Sequence, residues 1–148
     1  MNQVFPEFPG YKTIKLLGAG SFGQVYLVQD SKTNQTFAMK FCPWLVDGDQ
    51  EQLFKEVQAL RKLKHPNVIE YISSIDSQDS LRILMEFAEG GDLNTKIKQQ
   101  KGMPFPDEVV LEWFIQICDG LAYIHEQGII HCDLKPRNIF LTSDNKSR

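Results

Sequence analysis

The sequence predicts an α+β fold in two parts, an antiparallel five-stranded sheet with one helix followed by a helical region. Short runs of strand-forming residues joined by polar turns occupy residues 11–87. One stretch with helical apolar spacing interrupts them. After Phe87 the strand pattern gives way to two helical segments. The expected organisation is an N-terminal extension (1–10), a strand-rich lobe (11–87) and a helical lobe (88–148).

The elements follow in order. Tyr11 to Leu17 is a mixed apolar run that ends at Gly18. Gln24 to Asp30 and Thr36 to Cys42 flank the polar Ser31-Lys32-Thr33-Asn34 and read as a hairpin. Val68 to Ile75 and Leu81 to Phe87 flank Asp76–Ser80 and read as a second. Between the hairpins, Glu51 to Lys64 reads as a helix, with Leu53, Val57, Leu60 and Leu63 on one stripe. Glu56 falls inside that stripe, where a carboxylate is costly unless a cation meets it. The helix must stop before His65-Pro66-Asn67, since proline forbids continuation.

Ala88-Glu89-Gly90-Gly91 reads as a flexible link, and Asp92 as the N-cap of a helix through about Gln100. A longer helix is expected from about Asp107 to Glu126, behind Pro104 and Pro106. Its side chains, among them Val110, Trp113, Phe114, Ile115, Ile117, Leu121 and Ile124, are apolar nearly all round the axis. Such a helix belongs in a large core, and the 22 residues that follow Glu126 are too few to wrap it.

Composition narrows the class. Sixteen Lys and Arg against 19 Asp and Glu leave a net charge of −3, so neither nucleic acid nor an anionic membrane is the expected partner. No run approaches the roughly 18 apolar residues of a membrane span, and the N-terminus lacks the basic head and apolar core of a signal peptide. Cys42, Cys118 and Cys132 are odd in number without Cys-x-x-Cys spacing, against a disulfide framework or a zinc site. A cytoplasmic or nuclear, non-secreted protein is expected.

Three constellations carry chemistry. Gly18-Ala19-Gly20-Ser21-Phe22-Gly23 spells G-x-G-x-x-G, a pattern whose backbone can approach phosphates closely, although a glycine turn without ligand shares it. A Rossmann unit would place a helix next and an acid about 20 residues on. Here a strand follows, Gln24 to Val28, and Lys40 stands in the acid's place. Lys40 shares a strand face with Ala38 and would supply the cation that Glu56 needs. The third is His131-Cys132-Asp133-Leu134-Lys135-Pro136-Arg137-Asn138. An acid to accept a hydroxyl proton, a lysine to neutralise a phosphoryl group and an amide oxygen to hold a metal form a phosphoryl-transfer set. His65 and His125 read as capping or surface residues, and Trp44 and Trp113 as packing residues.

With these motifs in place, residues 11–148 resemble the first half of a eukaryotic serine/threonine protein kinase domain, from the glycine-rich loop through the catalytic loop. Glu89-Gly90-Gly91-Asp92-Leu93 and Asn138-Ile139-Phe140-Leu141 are most similar to the NIMA-related kinases. The resemblance implies a two-lobed fold with a small ATP-binding lobe, and transfer of the ATP γ-phosphoryl group to serine or threonine hydroxyls with Mg²⁺. It implies that Gly18, Ala19, Gly20, Ser21, Phe22 and Gly23 cover the phosphates, and that Lys40 binds them while paired with Glu56. Leu17, Val25, Ala38 and Phe140 would sandwich the adenine. Met85 would be the gatekeeper, backbone groups of Glu86 and Ala88 would bond the adenine edge, and Asp92 would lie near the ribose. Asp133 would be the catalytic base, Lys135 the phosphate-neutralising lysine and Asn138 a Mg²⁺ ligand. His131 would brace the loop.

Two departures stand out. Cys132 occupies the arginine position of His-Arg-Asp, which removes the usual grip on an activation-loop phosphate and leaves a small packing residue. The sequence also stops ten residues past Asn138, before any Asp-Phe-Gly. The large lobe is thus expected to be truncated after the catalytic loop and the chain inactive alone, prone to self-association or chaperone binding. The alternative is a non-catalytic nucleotide-binding or scaffold fragment.

Overall fold

The computed structural model describes residues 5–20, 23–44 and 50–148, with only the backbone of Gln52 and Glu56. The chain divides into two compact units, one of Met1–Lys62 with Glu70–Phe87, the other of Leu63–Ile69 with Ala88–Arg148. Among the described residues no helix is long and apolar enough to cross a membrane.

The first unit is a five-stranded antiparallel sheet with one helix. Its strands are β1 (Tyr11–Gly20), β2 (Gly23–Asp30), β3 (Thr36–Pro43), β4 (Tyr71–Asp76) and β5 (Ser80–Glu86), in the order β1-β2-β3-β5-β4. The two predicted hairpins are β2–β3 and β4–β5. In the first, Asp30 accepts the amides of Lys32 and Thr33, and Asn34 turns the chain at φ 62°. Strand β4 begins later than the expected Val68, because residues 63–69 belong to the second unit.

Cross-strand register sorts the side chains onto two faces. Val25 lies opposite Lys40, and Lys40 opposite Ile83; Leu27 lies opposite Ala38, and Ala38 opposite Met85. This face meets α1 (Gln50–Leu60): Cys42, Val57, Leu81 and Ile83 are buried together with Leu53, Phe54, Trp44 and Tyr71 around them. The other face holds Tyr26, Val28, Met39 and Leu84, buried with Phe8 of the N-terminal extension. Helix α1 ends at Leu60 rather than Lys64: the backbone loosens through Arg61 and Lys62 into the turn ahead of Pro66.

In the second unit, Asp92 caps α2 (Leu93–Gln99) by accepting the Thr95 amide at 2.8 Å and its hydroxyl at 2.7 Å. Helix α3 (Asp107–Glu126) starts directly behind Pro106 with Asp107 and Glu108 at its positive end, and has His125 in its last turn. The link at Gly90 is bonded to the chain's last residues, its amide donating to Leu141 O at 2.7 Å. It leads into a two-stranded ladder of β6 (Gly91–Asp92) and β7 (Phe140–Leu141).

Helix α3 is covered on one side. The Trp113 indole donates to Asn145 O at 2.6 Å, and Gln116 accepts the Ser147 amide at 2.6 Å. Farther along, Tyr123 accepts the Lys64 amide at 3.0 Å and stacks on His65 at 4.9 Å. Trp113, bonded to Asn145, and Ile124 are buried, while Val110, Leu111, Phe114 and Ile115 remain exposed, Phe114 at 63%. His65 caps its own turn through the Asn67 amide, and its Nε2 lies 3.5 Å from Asp119.

Gly120 is fixed by this packing. A Cβ there would lie 2.6 Å from the Asn67 carbonyl oxygen, and Asn67 cannot retreat easily because its side chain donates to Ser147 O at 2.9 Å. In an exposed helix, glycine to alanine gains about 1 kcal/mol; overpacking costs about 1–3 kcal/mol. The clash should win here. Gly120→Ala is expected to lower the unfolding free energy by about 1–2 kcal/mol in a denaturant titration.

Candidate functional site

The glycine segment lies where β1 turns into β2, with Gly20 opposite Gly23 and register shifts at Thr13/Lys15 and Leu16/Gly18. Ser21 and Phe22 lie outside the described residues. The glycines differ in what requires them. At Gly23, φ is +123° and a side chain would run into the Phe41 carbonyl, so only glycine fits. At Gly18 and Gly20 an added Cβ would meet none of the described residues within 4 Å. Packing among the described residues does not demand glycine at those two positions.

Strand alternation then gathers the next candidates. Val25, Ala38, Lys40 and Met85 share the α1 side of the sheet as direct cross-strand neighbours, with Ala38 buried and the other three half-buried. Leu17 is exposed at 40%. The Glu56 side chain lies outside the described residues, so the expected Lys40–Glu56 pair remains an expectation; the α1 backbone does include position 56. Glu86, at the end of β5, donates its amide to Glu70 O at 2.9 Å, and its carboxylate accepts the Glu70 amide at 3.2 Å.

The second unit assembles the other candidates. The β6–β7 ladder sets Asp92 opposite Phe140, two residues far apart in sequence. Ala88 is buried beside this link. Asp92 spends both carboxylate oxygens on Thr95. Burial raises its pKa, but the Thr95 hydroxyl and amide outweigh it and hold the group below the usual carboxylate range.

The polar loop before β7 is tightly cross-linked. Lys135 Nζ donates to both Asp133 carboxylate oxygens at 2.8 Å. Asn138 Nδ2 donates to the Asp133 carbonyl at 2.8 Å and to its Oδ2 at 2.9 Å. A single 3-10 turn, Pro136–Asn138, sets this spacing, with Pro136 fixing φ and the Asn138 amide closing on Lys135 O at 2.8 Å. The Asp133 amide bonds His131 through its carbonyl at 2.8 Å and its Nδ1 at 3.3 Å, so His131 does brace the loop. Cys132 takes the left-handed conformation at φ 61° inside this sharp bend and is exposed. It is therefore not a packing residue.

The Lys135 bond, and after it the Asn138 bond, hold the Asp133 carboxyl below the usual carboxylate range. The arrangement can accept a proton at Asp133, present a cation beside it and offer the Asn138 Oδ1, which takes part in neither bond to Asp133. Among the described residues no group of three or more His, Cys, Asp or Glu could hold a metal.

A glycine turn between antiparallel strands, a half-buried lysine and an Asp-x-Lys-x-x-Asn loop are parts that phosphoryl-transfer proteins carry. This chain belongs to the protein kinase domain family, whose pattern it matches over residues 11–148. It is 44% identical over 136 residues to serine/threonine-protein kinase Nek3 of Mus musculus, a match covering 92% of this chain and 26% of that protein. Nek11 of Homo sapiens is 40% identical over 135 residues, covering 86% of this chain and 21% of that protein. MAP3K epsilon protein kinase 1 of Brassica napus is 35% identical over 130 residues, covering 86% and 10%. The chain spans about a quarter or less of the length of these relatives. The similarity to NIMA-related kinases read from the sequence is matched by these Nek relatives.

The carboxylate at Asp133 should titrate accordingly. Its depressed pKa keeps it ionised through the ordinary carboxylate range, and the stability it lends is lost only as pH falls through that depressed value. Lys135→Met removes the largest cause. By carbon NMR of the carboxyl group, the Asp133 midpoint is expected to rise in this variant relative to the unaltered chain.

Proposed function

We propose that this chain forms the ATP-binding lobe (11–87) and the first part of the second lobe (88–148) of a serine/threonine protein kinase. The observation that carries the reading is the Asp133–Lys135–Asn138 cluster, in which one carboxylate is held ionised by one cation and one amide. The Nek relatives, whose names state serine/threonine kinase activity, support the residue class.

In the first unit, Gly18, Ala19, Gly20, Ser21, Phe22 and Gly23 take the ATP phosphates, and the room left by the described residues at Gly18 and Gly20 supports that assignment. Lys40 neutralises phosphate charge, paired with Glu56. Leu17, Val25 and Ala38 line the adenine, with Met85 and the Glu86 backbone at its edge. In the second unit, Ala88 and Phe140 serve the adenine and Asp92 the ribose.

The step is a direct displacement. A serine or threonine oxygen bonds to the γ-phosphorus as the bond from that phosphorus to the bridging oxygen of ADP breaks. The hydroxyl proton passes to Asp133, which the lowered pKa keeps ready as an acceptor rather than a donor. Lys135 offsets the charge on the moving group. Asn138 would hold Mg²⁺, which neutralises phosphate oxygens when bound.

The test is ATP-dependent labelling of a serine-containing protein by this chain supplied with the segment through Asp-Phe-Gly and the activation loop. Asp133→Asn is expected to reduce turnover by about 10²–10⁴-fold, the usual weight of a general base. Unaltered turnover would overturn the role of Asp133. Exposed Val110, Leu111, Phe114 and Ile115 support self-association or chaperone capture of the 148-residue polypeptide. Ultracentrifugation with an apolar dye checks this; a monomer that binds no dye contradicts it.

A further inference from the structure

The sheet face turned away from α1 is covered by the chain's own N-terminal segment. Phe8 is 6% exposed and packs with Tyr26, Val28, Met39 and Leu84, while Phe5 meets the Tyr26 ring edge-on at 5.9 Å. A tight turn returns the chain into β1: the Tyr11 amide donates to Phe8 O at 2.9 Å, with Pro9 and Gly10, at φ +85°, in the middle. Pro6 and Pro9 have no amide hydrogen, so the segment cannot join the ladder as a sixth strand.

It is held instead by two side-chain donors. The Thr13 hydroxyl donates to Pro6 O at 2.9 Å, and Arg82 Nη1 donates to Glu7 O at 2.6 Å. Arg82 is itself fixed, by Ser80 at 3.3 Å, by Asp79 at 3.6 Å and over the Phe41 ring at 5.8 Å. The sheet thus presents an apolar surface with an oriented guanidinium at its border, to which all five strands contribute. These are the features of a peptide site, with pockets for side chains and a fixed donor for a backbone carbonyl.

We propose that this face is a docking groove for an extended segment with two aromatic side chains three positions apart and an accepting carbonyl between them. The occupant is this chain's own Phe5-Pro6-Glu7-Phe8, bound in cis and separable from the sheet. A tethered segment acts at an effective concentration in the millimolar range, so it masks the groove without strong intrinsic affinity. The inference is independent of the kinase reading.

The probe is a fluorescein-labelled peptide of residues 1–10, read by polarisation. The chain begun at Tyr11 should bind it at least about tenfold more tightly than the unaltered chain, whose groove is filled. A peptide with both phenylalanines changed to alanine should not bind. Arg82→Met in the shortened chain should weaken binding several-fold. Equal affinity for both chains, no binding to either, or equal binding of the alanine peptide overturns the proposal. If the shortened chain does not fold, the full chain with Phe5→Ala and Phe8→Ala replaces it, with the same expectations. Hydrogen exchange on the unaltered chain gives a separate reading. The Tyr11 amide should exchange at least about tenfold faster than the amides of Met39 and Leu84; equal rates would mean that the segment leaves only on global unfolding, and would overturn separability.

Discussion

The first unit depends on the register of β3. That strand is paired on both sides, with β2 and β5, and both of its faces are buried, under α1 on one side and the N-terminal segment on the other. Alternation along Thr36–Pro43 therefore decides everything nearby. Ala38, Lys40 and Cys42 face the helix, while Phe37, Met39 and Phe41 face the aromatic cluster. A slip of one residue would drive the Lys40 ammonium among Phe8, Tyr26 and Val28 and bring Met39 to the helix side. Burying an unpaired charge costs far more than any local preference could return. The same pairing brings Val25 and Ile83 beside Lys40 and Met85 beside Ala38, so the candidate nucleotide residues are set by the ladder rather than by loops.

The second unit works on a different constraint, the supply of polar partners along one stripe of α3. Trp113, Gln116, Gly120 and Tyr123 recur at helical spacing, and each holds an irregular segment. Asn145 and Ser147 come from the end of the chain, Lys64 and Asn67 from the stretch between α1 and β4. Loops carry unpaired backbone groups that must find donors or acceptors, and this stripe provides them. The β6–β7 ladder then ties the cross-linked Asp133 loop to the start of α2. An exposed cluster of Asp, Lys and Asn would ordinarily wander among rotamers. Four hydrogen bonds within six residues hold this one in a single arrangement.

Asp92 shows how one side chain can serve two needs. Its oxygens satisfy the first turn of α2 through Thr95, and its backbone pairs with Phe140 in the ladder. A contact with a ribose would have to share a carboxylate already engaged as a helix cap. Lys135 and Asp133 present the opposite case, a pair that stands exposed with its strength confined to local geometry. Ion pairs of that kind add little to stability, so their value lies in orienting the carboxylate.

The sequence by itself determined the elements and their chemistry. Alternation and polar turns were enough for both hairpins, the apolar period for α1, and the paired prolines for the start of α3, because these signals act within a few residues. The Asp133–Lys135–Asn138 set was legible for the same reason, since its spacing is closed by one short turn. Tertiary structure alone decided the rest. That residues 63–69 leave the sheet's unit and clasp α3 depends on Gly120 and Tyr123, more than fifty residues away in the chain. That Asp92 meets Phe140, and that Phe5 and Phe8 close the open face of the sheet, likewise depends on partners outside the local stretch of chain. Local pattern carries no record of such pairings, because each is selected by burial and by unpaired backbone groups that exist only once the elements have packed.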